Sequence, residues 1–273
     1  MPELPEVETV RAGLERLLGS GAVIRAIALQ RGDLRAPIPS QLPRRLRGAT
    51  ITGIRRRAKY LLFDTSQGIL LSHLGMTGTW RLAPLGDERP HDHCYLHLMD
   101  GRRLAFRDPR RFGLLDLIDL GGEANHPRLV DLGPEPLDQA AFTIDHLLAC
   151  CHGRKQALKP VIMDQQVVVG VGNIYAQEAL FRARLRPTRP AGRLTRAEAT
   201  VLVAHIRTVL AEAITAGGST ISDFRQAGGD GGYFQHNFQV YDRAGQPCAI
   251  CGTALHGAVV GGRGTTWCRR CQH

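Results

Sequence analysis

The chain has 273 residues, of which 35 are Lys or Arg and 25 are Asp or Glu, so its formal net charge is +10. This length predicts two or three domains, and a hydrophobic fraction of 43% excludes wholesale disorder. No apolar run reaches the roughly 18–20 residues of a membrane span, and the acidic, proline-bearing N-terminus excludes a signal peptide. The charge favours a polyanionic partner without identifying it.

The positive charge is concentrated in two clusters. Residues 31–60 contain nine basic side chains and one acid, Asp33, and residues 102–111 contain five arginines interrupted by Asp108. Such clustering is typical of proteins that bind nucleic acids. The alternative is that these side chains are solvated surface charges, which composition alone does not exclude.

In chain order, the first predicted element is a helix at 5–18, where Val7, Val10, Leu14 and Leu17 recur at helical spacing after a proline in the first turn. From about 22 to 120, short segments rich in Val, Ile, Leu and Thr alternate with Gly, Pro and Asp, which predicts an antiparallel sandwich or barrel. A linker is predicted at 122–137. Helices are predicted at 138–151, 155–163, 173–184 and 195–216, the last beginning with a capping box.

Four of the seven cysteines form two C-x2-C pairs separated by sixteen residues, namely Cys248, Cys251, Cys268 and Cys271. This spacing predicts a zinc ion held by four thiolates. Four protein ligands leave no open position, so the predicted role is structural. Two disulfides or a redox pair are the alternatives. The other cysteines, Cys94, Cys150 and Cys151, are predicted to be reduced thiols.

Six segments, taken in order, resemble the formamidopyrimidine-DNA glycosylase family over essentially the whole chain. Besides the cysteine module with its Gly262-Arg263-Gly264-Thr265 turn, they are Pro2-Glu3-Leu4-Pro5-Glu6-Val7-Glu8-Thr9-Val10, Arg56-Arg57-Ala58-Lys59-Tyr60, His73-Leu74-Gly75-Met76-Thr77-Gly78, Asp108-Pro109-Arg110-Arg111-Phe112-Gly113 and Gly170-Val171-Gly172-Asn173-Ile174-Tyr175.

The resemblance implies an α+β fold in three parts. A catalytic β-sandwich with a leading helix would occupy 1–121, followed by the linker at 122–137. A helix-two-turn-helix domain with a lesion-capping loop would occupy 138–239. A zinc-finger hairpin would occupy 240–273.

The implied catalytic residues are Pro2, Glu3 and Lys59. If Met1 is removed, Pro2 becomes a secondary amine whose pKa of about 8 leaves much more of it neutral than a lysine. Such an amine can attack a sugar C1′ and form a Schiff base. Glu3 could move protons, and Lys59 would touch a phosphate near the scissile nucleotide. Glu6 is equally well explained as a first-turn residue favoured by the helix dipole.

The implied DNA contacts combine phosphate binding with filling of the gap left by a flipped nucleotide. His73, Asn173 and Arg263 would contact phosphates, whereas Met76, Arg110 and Phe112 would enter the duplex. The structural alternatives are core packing for Met76 and Phe112 and helix capping for Asn173. For His73 the alternative is a satisfied structural histidine, and for Arg263 a residue of the hairpin turn.

The predicted function is a bifunctional glycosylase and abasic-site lyase of base excision repair, which removes 8-oxoguanine and formamidopyrimidines from duplex DNA through Pro2 and then performs β,δ-elimination. The alternatives are an endonuclease VIII-type enzyme for oxidised pyrimidines and a non-catalytic damage-binding protein on the same fold. Ser222 stands where the family often has Lys or Arg, which leaves the lesion preference open. The enzyme is predicted to act as a cytoplasmic, nucleoid-associated monomer on damaged double-stranded DNA, with no membrane partner.

Overall fold

The structure is a computed structural model that describes residues 1–19, 21–219 and 233–273. Backbone contacts divide the chain into two compact units. Unit 1 comprises Met1–Val130 and Ala216–Tyr233, and unit 2 comprises Asp131–Thr215 and Phe234–His273. The three-domain bounds at 121, 137 and 239 stay predictions.

Unit 1 opens with helix α1, which spans Leu4–Leu18 and confirms the first predicted element. Its side chains Val7, Val10 and Leu14 are buried in the core, as their helical spacing requires. Gly19 ends the helix with a φ of 65°, and its N–H donates to the Glu15 carbonyl at 2.9 Å. A residue with a Cβ rarely adopts this conformation, so the glycine fixes the helix end.

The rest of unit 1 contains two four-stranded antiparallel sheets. The first consists of β1 (Ile24–Leu29), β5 (Thr79–Leu82), β6 (Asp92–Leu98) and β7 (Arg103–Arg107), in the order β1-β6-β7-β5. The second consists of β2 (Ile51–Arg57), β3 (Tyr60–Thr65), β4 (Gly68–His73) and β8 (Leu114–Ile118), in the order β2-β3-β4-β8. A short helix, α2 (Leu42–Arg45), follows β1.

The core of unit 1 lies between these sheets. The Trp80 ring from the first sheet packs 5.2 Å from Phe63 of the second and 5.1 Å from Phe106 of its own. Its indole N–H is satisfied by the Ser72 hydroxyl at 3.0 Å. Because two separate sheets share one core, the fold is the predicted sandwich rather than a barrel.

Unit 2 contains the predicted helices, α3 (Ile144–Cys151), α4 (Leu158–Met163), α5 (Asn173–Arg182) and α6 (Arg196–Thr215). Helix α3 begins at Ile144 instead of 138, because the Asp138 carboxylate binds the N–H groups of Ala140 and Ala141 in a turn. Thr143 then caps the helix by accepting from the His146 N–H at 3.1 Å. Local side-chain bonding of this kind competes with helix formation.

The capping box predicted for α6 is confirmed. The Glu198 carboxylate accepts from the Thr195 N–H at 2.9 Å, and the Glu198 N–H donates to the Thr195 hydroxyl at 3.3 Å. The sequence also predicts that Val201 lies on the apolar face of this helix. Val201 is 43% exposed, so this part of the prediction is wrong. Among the residues described, every helix is too short or too polar to cross a lipid bilayer.

Unit 2 ends in the predicted hairpin, which is formed by β9 (His256–Val260) and β10 (Arg263–Trp267). Gly261 and Gly262 form its two-residue turn with φ values of 59° and 73°. Two positive φ angles are typical of the turns that match strand twist, and glycine adopts them without strain. The sequence predicts that Trp267, just before Cys268, packs on the hairpin. This is confirmed, because Trp267 is 5% exposed and its ring lies 4.5 Å from the His256 ring.

Candidate active site and zinc centre

The first turn of α1 positions the candidate catalytic residues of unit 1. Glu3 is the N-cap residue and, like Pro2, is buried. The Glu6 carboxylate accepts from the Glu3 N–H at 2.8 Å in the reciprocal arrangement of a capping box. This bond fixes the backbone directly after Pro2, so the N-terminus leaves the helix in a defined direction.

The N-terminal amine lies in a field of four charged side chains. Burial lowers the pKa of the Met1 α-amino group below its usual value. The carboxylates of Glu3 and Glu6 raise this pKa, whereas the positive charges of Lys59 and Arg110 lower it. An amine in this place is therefore neutral more often than a solvated one, which is the form that acts as a nucleophile.

Lys59 lies in the turn between β2 and β3, and its positive charge acts on this amine. The turn places Ala58 in the left-handed region with a φ of 55°, and Lys59 is only 6% exposed. The structure thus brings Lys59 near Pro2 and Glu3, from which it is distant in the sequence.

Glu6 also binds the segment that leads to the glycine-rich stretch. Its second carboxylate oxygen accepts from the Ser219 N–H at 2.8 Å and the Ser219 hydroxyl at 3.0 Å. A Cβ on Gly218, whose φ is +78°, would lie 3.2 Å from the Glu6 side chain. The close approach assigns Glu6 a structural role beyond the helix dipole. Ser222 and the predicted capping loop lie outside the described residues.

Two loops of unit 1 present the side chains predicted to enter DNA. A Cβ on Gly75 would lie 2.3 Å from the Phe112 backbone, so only a glycine allows these loops to meet. Met76 is half-buried, Phe112 is 44% exposed, and the Arg110 guanidinium lies 4.9 Å above the Phe112 ring. The exposure of Phe112 argues against the core-packing alternative for this residue.

A buried carboxylate holds the second loop in place. Asp108, which is 0% exposed, accepts from the Thr77 hydroxyl at 2.5 Å and from the Gly113 N–H at 2.7 Å. The same Thr77 hydroxyl accepts from the Arg110 N–H at 3.1 Å. Asp108 therefore fixes the backbone on both sides of Arg110 and Phe112.

His73 is buried below these loops and is held in its neutral form. Its Nδ1 accepts from the Gly75 N–H at 2.9 Å, which leaves Nε2 as the donor nitrogen. Burial lowers the pKa of His73 to about 3, and the charges of Arg35, Lys59 and Arg128 lower it as well. As a phosphate contact, His73 would act as a neutral hydrogen-bond donor.

This depressed pKa predicts a specific acid response in the free protein. Between pH 6.5 and about pH 3, His73 is protonated in the unfolded chain but remains neutral in the folded chain. The free energy of unfolding is therefore unaffected by His73 above pH 6.5. Below pH 6.5 it decreases as the pH drops, by up to about 1.4 kcal/mol per pH unit. Urea unfolding of wild-type protein and His73→Gln between pH 7 and 4 should show a steeper loss for the wild type. Equal slopes would contradict the depressed pKa.

In unit 2, Asn173 and the hairpin form the candidate phosphate-binding region. Asn173 is the first residue of α5, and Gly172 is its N-cap, so the capping alternative for Asn173 is wrong. The Asn173 amide instead donates to the Gly264 carbonyl at 3.1 Å and accepts from the Lys159 ammonium at 2.5 Å. Lys159 is 0% exposed and also binds the Thr265 hydroxyl at 2.7 Å. These bonds place the exposed Arg263 next to the start of α5.

The four module cysteines form a site that fits a tetrahedral metal. Their sulfur atoms all lie within 4.8 Å of one another. The Cys248–Cys271 and Cys251–Cys268 sulfur pairs are 3.9 and 3.5 Å apart. Bonds of about 2.3 Å to a tetrahedral zinc ion place sulfurs about 3.8 Å apart, so the site fits Zn²⁺, and the separations are too long for disulfides. The predicted zinc cofactor is confirmed.

The sequence did not predict a role for several buried charged residues of these sites. Asp108, Lys159 and Glu178 are all 0% exposed. The Glu178 carboxylate accepts backbone N–H bonds of 2.9–3.1 Å from residues 239, 240 and 241, which precede the cysteine module. Burial raises the pKa of Glu178, and these backbone donors lower it. Nothing in the sequence distinguishes such buried charges from exposed ones.

Comparison with known proteins matches all three parts of this architecture to family models. The formamidopyrimidine-DNA glycosylase N-terminal domain matches residues 1–115, and the H2TH domain of the same family matches 132–225. The zinc finger found in FPG and IleRS matches 245–273. This combination defines the class of H2TH DNA glycosylases with a C-terminal zinc finger.

Full-length relatives identify the member of that class. A formamidopyrimidine-DNA glycosylase of Bdellovibrio bacteriovorus is 54% identical over 272 residues, covering 100% of both chains. The crystal structure of the Thermus thermophilus MutM (Fpg) protein has a TM-score of 0.89 at 44% identity, covering 99% of this chain and 98% of that one. A Lactococcus lactis Fpg variant bound to Fapy-dG-containing DNA has a TM-score of 0.91 at 35% identity, covering 100% of both chains. The chain belongs to the formamidopyrimidine-DNA glycosylase family.

Proposed function

We infer that the protein is a base-excision-repair enzyme that removes oxidised purines from duplex DNA and then cleaves the abasic site. The observation that carries this conclusion is the N-terminal amine held among Glu3, Lys59 and Arg110 in a chain that aligns over its whole length with a formamidopyrimidine-DNA glycosylase. The family is bifunctional, with glycosylase and lyase activities, and damaged double-stranded DNA is the partner.

For the chemistry, we propose that Met1 is removed and that the Pro2 nitrogen attacks C1′ of the damaged nucleotide. The new N–C1′ bond forms as the bond from C1′ to the base breaks, and Glu3 moves protons at the opening sugar. The resulting iminium makes the 2′ proton acidic, so successive β- and δ-eliminations release both phosphates. Lys59 contacts a phosphate beside the reacting sugar.

For the DNA contacts, we propose that Met76, Arg110 and Phe112 fill the space of the flipped nucleotide. Their two loops meet closely enough to present the three side chains together. An apolar side chain can wedge between base steps, and Arg110 can donate hydrogen bonds to the base opposite the lesion.

Asn173 and Arg263 are proposed to bind phosphates from unit 2, together with the neutral His73 from unit 1. Arg263→Ala should weaken binding to undamaged duplex and reduce the slope of log K against log salt by about 1, because one phosphate contact is lost. A suitable control is Arg196→Ala, since Arg196 is already paired with Asp145 at 2.6 Å. An unchanged slope in Arg263→Ala would refute the contact.

The lesion specificity is tested with a panel of duplexes. We expect excision of 8-oxoguanine and formamidopyrimidines opposite cytosine to exceed excision of oxidised pyrimidines by at least about tenfold in kcat/KM. Oxidised pyrimidines belong in the panel because a Lactococcus lactis Fpg was solved with an oxidised pyrimidine containing DNA. Preference for the pyrimidines would favour the endonuclease VIII-type alternative, and binding without excision would favour the non-catalytic one.

We further propose that the enzyme acts as a monomer in the cytoplasm, associated with the nucleoid. A dimer is not needed for the proposed chemistry, since all the proposed catalytic residues come from one chain.

A further inference from the structure

A basic groove on unit 1 is used by none of the steps above. It lies beside β1 and α2 and encloses an open volume of about 640 Å³. Its basic lining consists of Arg25, Arg44, Arg47 and His97, and its apolar lining includes Ile27 and Pro43. It contains no acidic residue and none of the residues assigned to catalysis or DNA entry.

The three arginines of the groove differ from their neighbours in the first basic cluster. Arg31, Arg45 and Arg55 are paired with Asp33, Asp119 and Asp64 at 2.5–2.7 Å. In contrast, no carboxylate in the described part of the chain lies within ion-pair distance of Arg25, Arg44 or Arg47. The fold therefore neutralises part of the cluster and leaves Arg44 and Arg47, together with Arg25 from outside the cluster, around one concave surface.

The surroundings of His97 indicate a positive electrostatic potential in the groove. Burial lowers its pKa, and the nearby charges of Arg103 and Arg25 lower it further, while no acidic group raises it. A concave surface with such a potential concentrates anions. Guanidinium groups bind phosphate oxygens in a bidentate manner, which makes a phosphate the expected ligand.

We propose that this groove binds the phosphodiester backbone of a second nucleic-acid segment while the catalytic site holds the first. Backbone is favoured over a free nucleotide because the lining contains no aromatic side chain other than His97 on which a base could stack. It also contains no carboxylate that could accept from a base edge. Contact with two segments would let the enzyme transfer between them during its search for damage.

The experiment measures capture of a second duplex by enzyme already occupied with a first. The protein is trapped with borohydride on a short immobilised duplex containing 8-oxoguanine, and a fluorescent undamaged duplex is then titrated in. The wild type is compared with Arg25→Ala/Arg44→Ala/Arg47→Ala. A matched control, Arg31→Ala/Arg45→Ala/Arg55→Ala, removes the same number of arginines from the paired set. Yield of the first adduct reports on the proposed chemistry, and capture of the second duplex reports on the groove.

We expect the groove variant to lose at least tenfold in affinity for the second duplex, with a salt slope lower by about 3. Its excision rate on a single short duplex should stay within about twofold of wild type. Equal capture by the groove variant and wild type, or an equal loss in the control, would overturn the proposal.

Inorganic tripolyphosphate is the second probe, and its binding is followed through the NMR signals of the His97 ring. Perturbation by tripolyphosphate without capture of duplex would replace the proposal with a site for small phosphates.

Discussion

Pro2→Gly is expected to reduce borohydride-trapped adduct and base excision by at least about 100-fold, which corresponds to roughly 2.7 kcal/mol of transition-state stabilisation. A secondary amine forms an iminium with a fixed positive charge, whereas the primary amine of glycine forms an imine that must be protonated to withdraw electrons. Glycine also lacks the ring that holds the nitrogen in one direction next to Glu3.

Trapping on 8-oxoguanine duplex, single-turnover excision and DNA affinity would be measured on the same preparation. The control is Pro84→Gly, which changes an exposed loop proline and should behave as wild type. DNA affinity of Pro2→Gly should stay within about threefold, because the nucleophile acts after binding. Full adduct yield in Pro2→Gly would show that another group attacks C1′.

The same chemistry predicts how adduct formation depends on removal of Met1. While Met1 is attached, the Pro2 nitrogen belongs to an amide and is not a nucleophile. The fraction of protein that forms an adduct should therefore equal the fraction that intact mass shows to have lost Met1. Adduct formation by protein that retains Met1 would contradict the role of Pro2.

Cys268→Ser is expected to have the largest effect on folding. Cys268 is 0% exposed, and in the described part of the chain it shares a small buried cluster with Phe181, Val240, Cys248 and Leu255. So small a core contributes little, whereas a structural zinc site supplies about 10–16 kcal/mol of apparent binding free energy in small modules. Loss of one thiolate should release the ion and unfold the β9–β10 hairpin.

Metal content by atomic emission should fall from one zinc per chain to below about 0.1, and limited proteolysis should cleave the released hairpin. Because Arg263 begins β10, affinity for duplex DNA should fall at least about tenfold. The matched control is Cys150→Ser, since Cys150 lies in α3 outside the metal site and should keep full zinc content. Stoichiometric zinc with unchanged DNA affinity in Cys268→Ser would contradict a structural four-thiolate site.

The elements that could be predicted are those with a local cause. Helical spacing and Gly19 define α1, and the capping box of Thr195 and Glu198 defines the start of α6. The bounds of β1 have no such local cause, because its sequence IRAIAL shows no clear alternation. Its register with β6 also shifts between Ile24 and Ala26. Its strand conformation depends on pairing with β6, which is distant in the chain.

The positive charge of the chain illustrates the limit of sequence reasoning at the surface. The second cluster was predicted to bind nucleic acid, yet Arg103 is 6% exposed, pairs with Glu88 at 2.6 Å and stacks on Tyr95. Arg102 binds Asp100 and the carbonyls that end α1. Of this cluster, Arg110 lies at the candidate active site.

By itself, the sequence determined the zinc site and the three-part order of the chain, because ligand spacing and family motifs are local patterns. It also identified the N-terminal amine as a candidate nucleophile, because that property is covalent. Only the tertiary structure decided which charges are compensated, since partners such as Arg45 and Asp119 are brought together by strands and turns between them. The same packing buries Lys159 and Asp108, which support the residues that we propose to contact DNA.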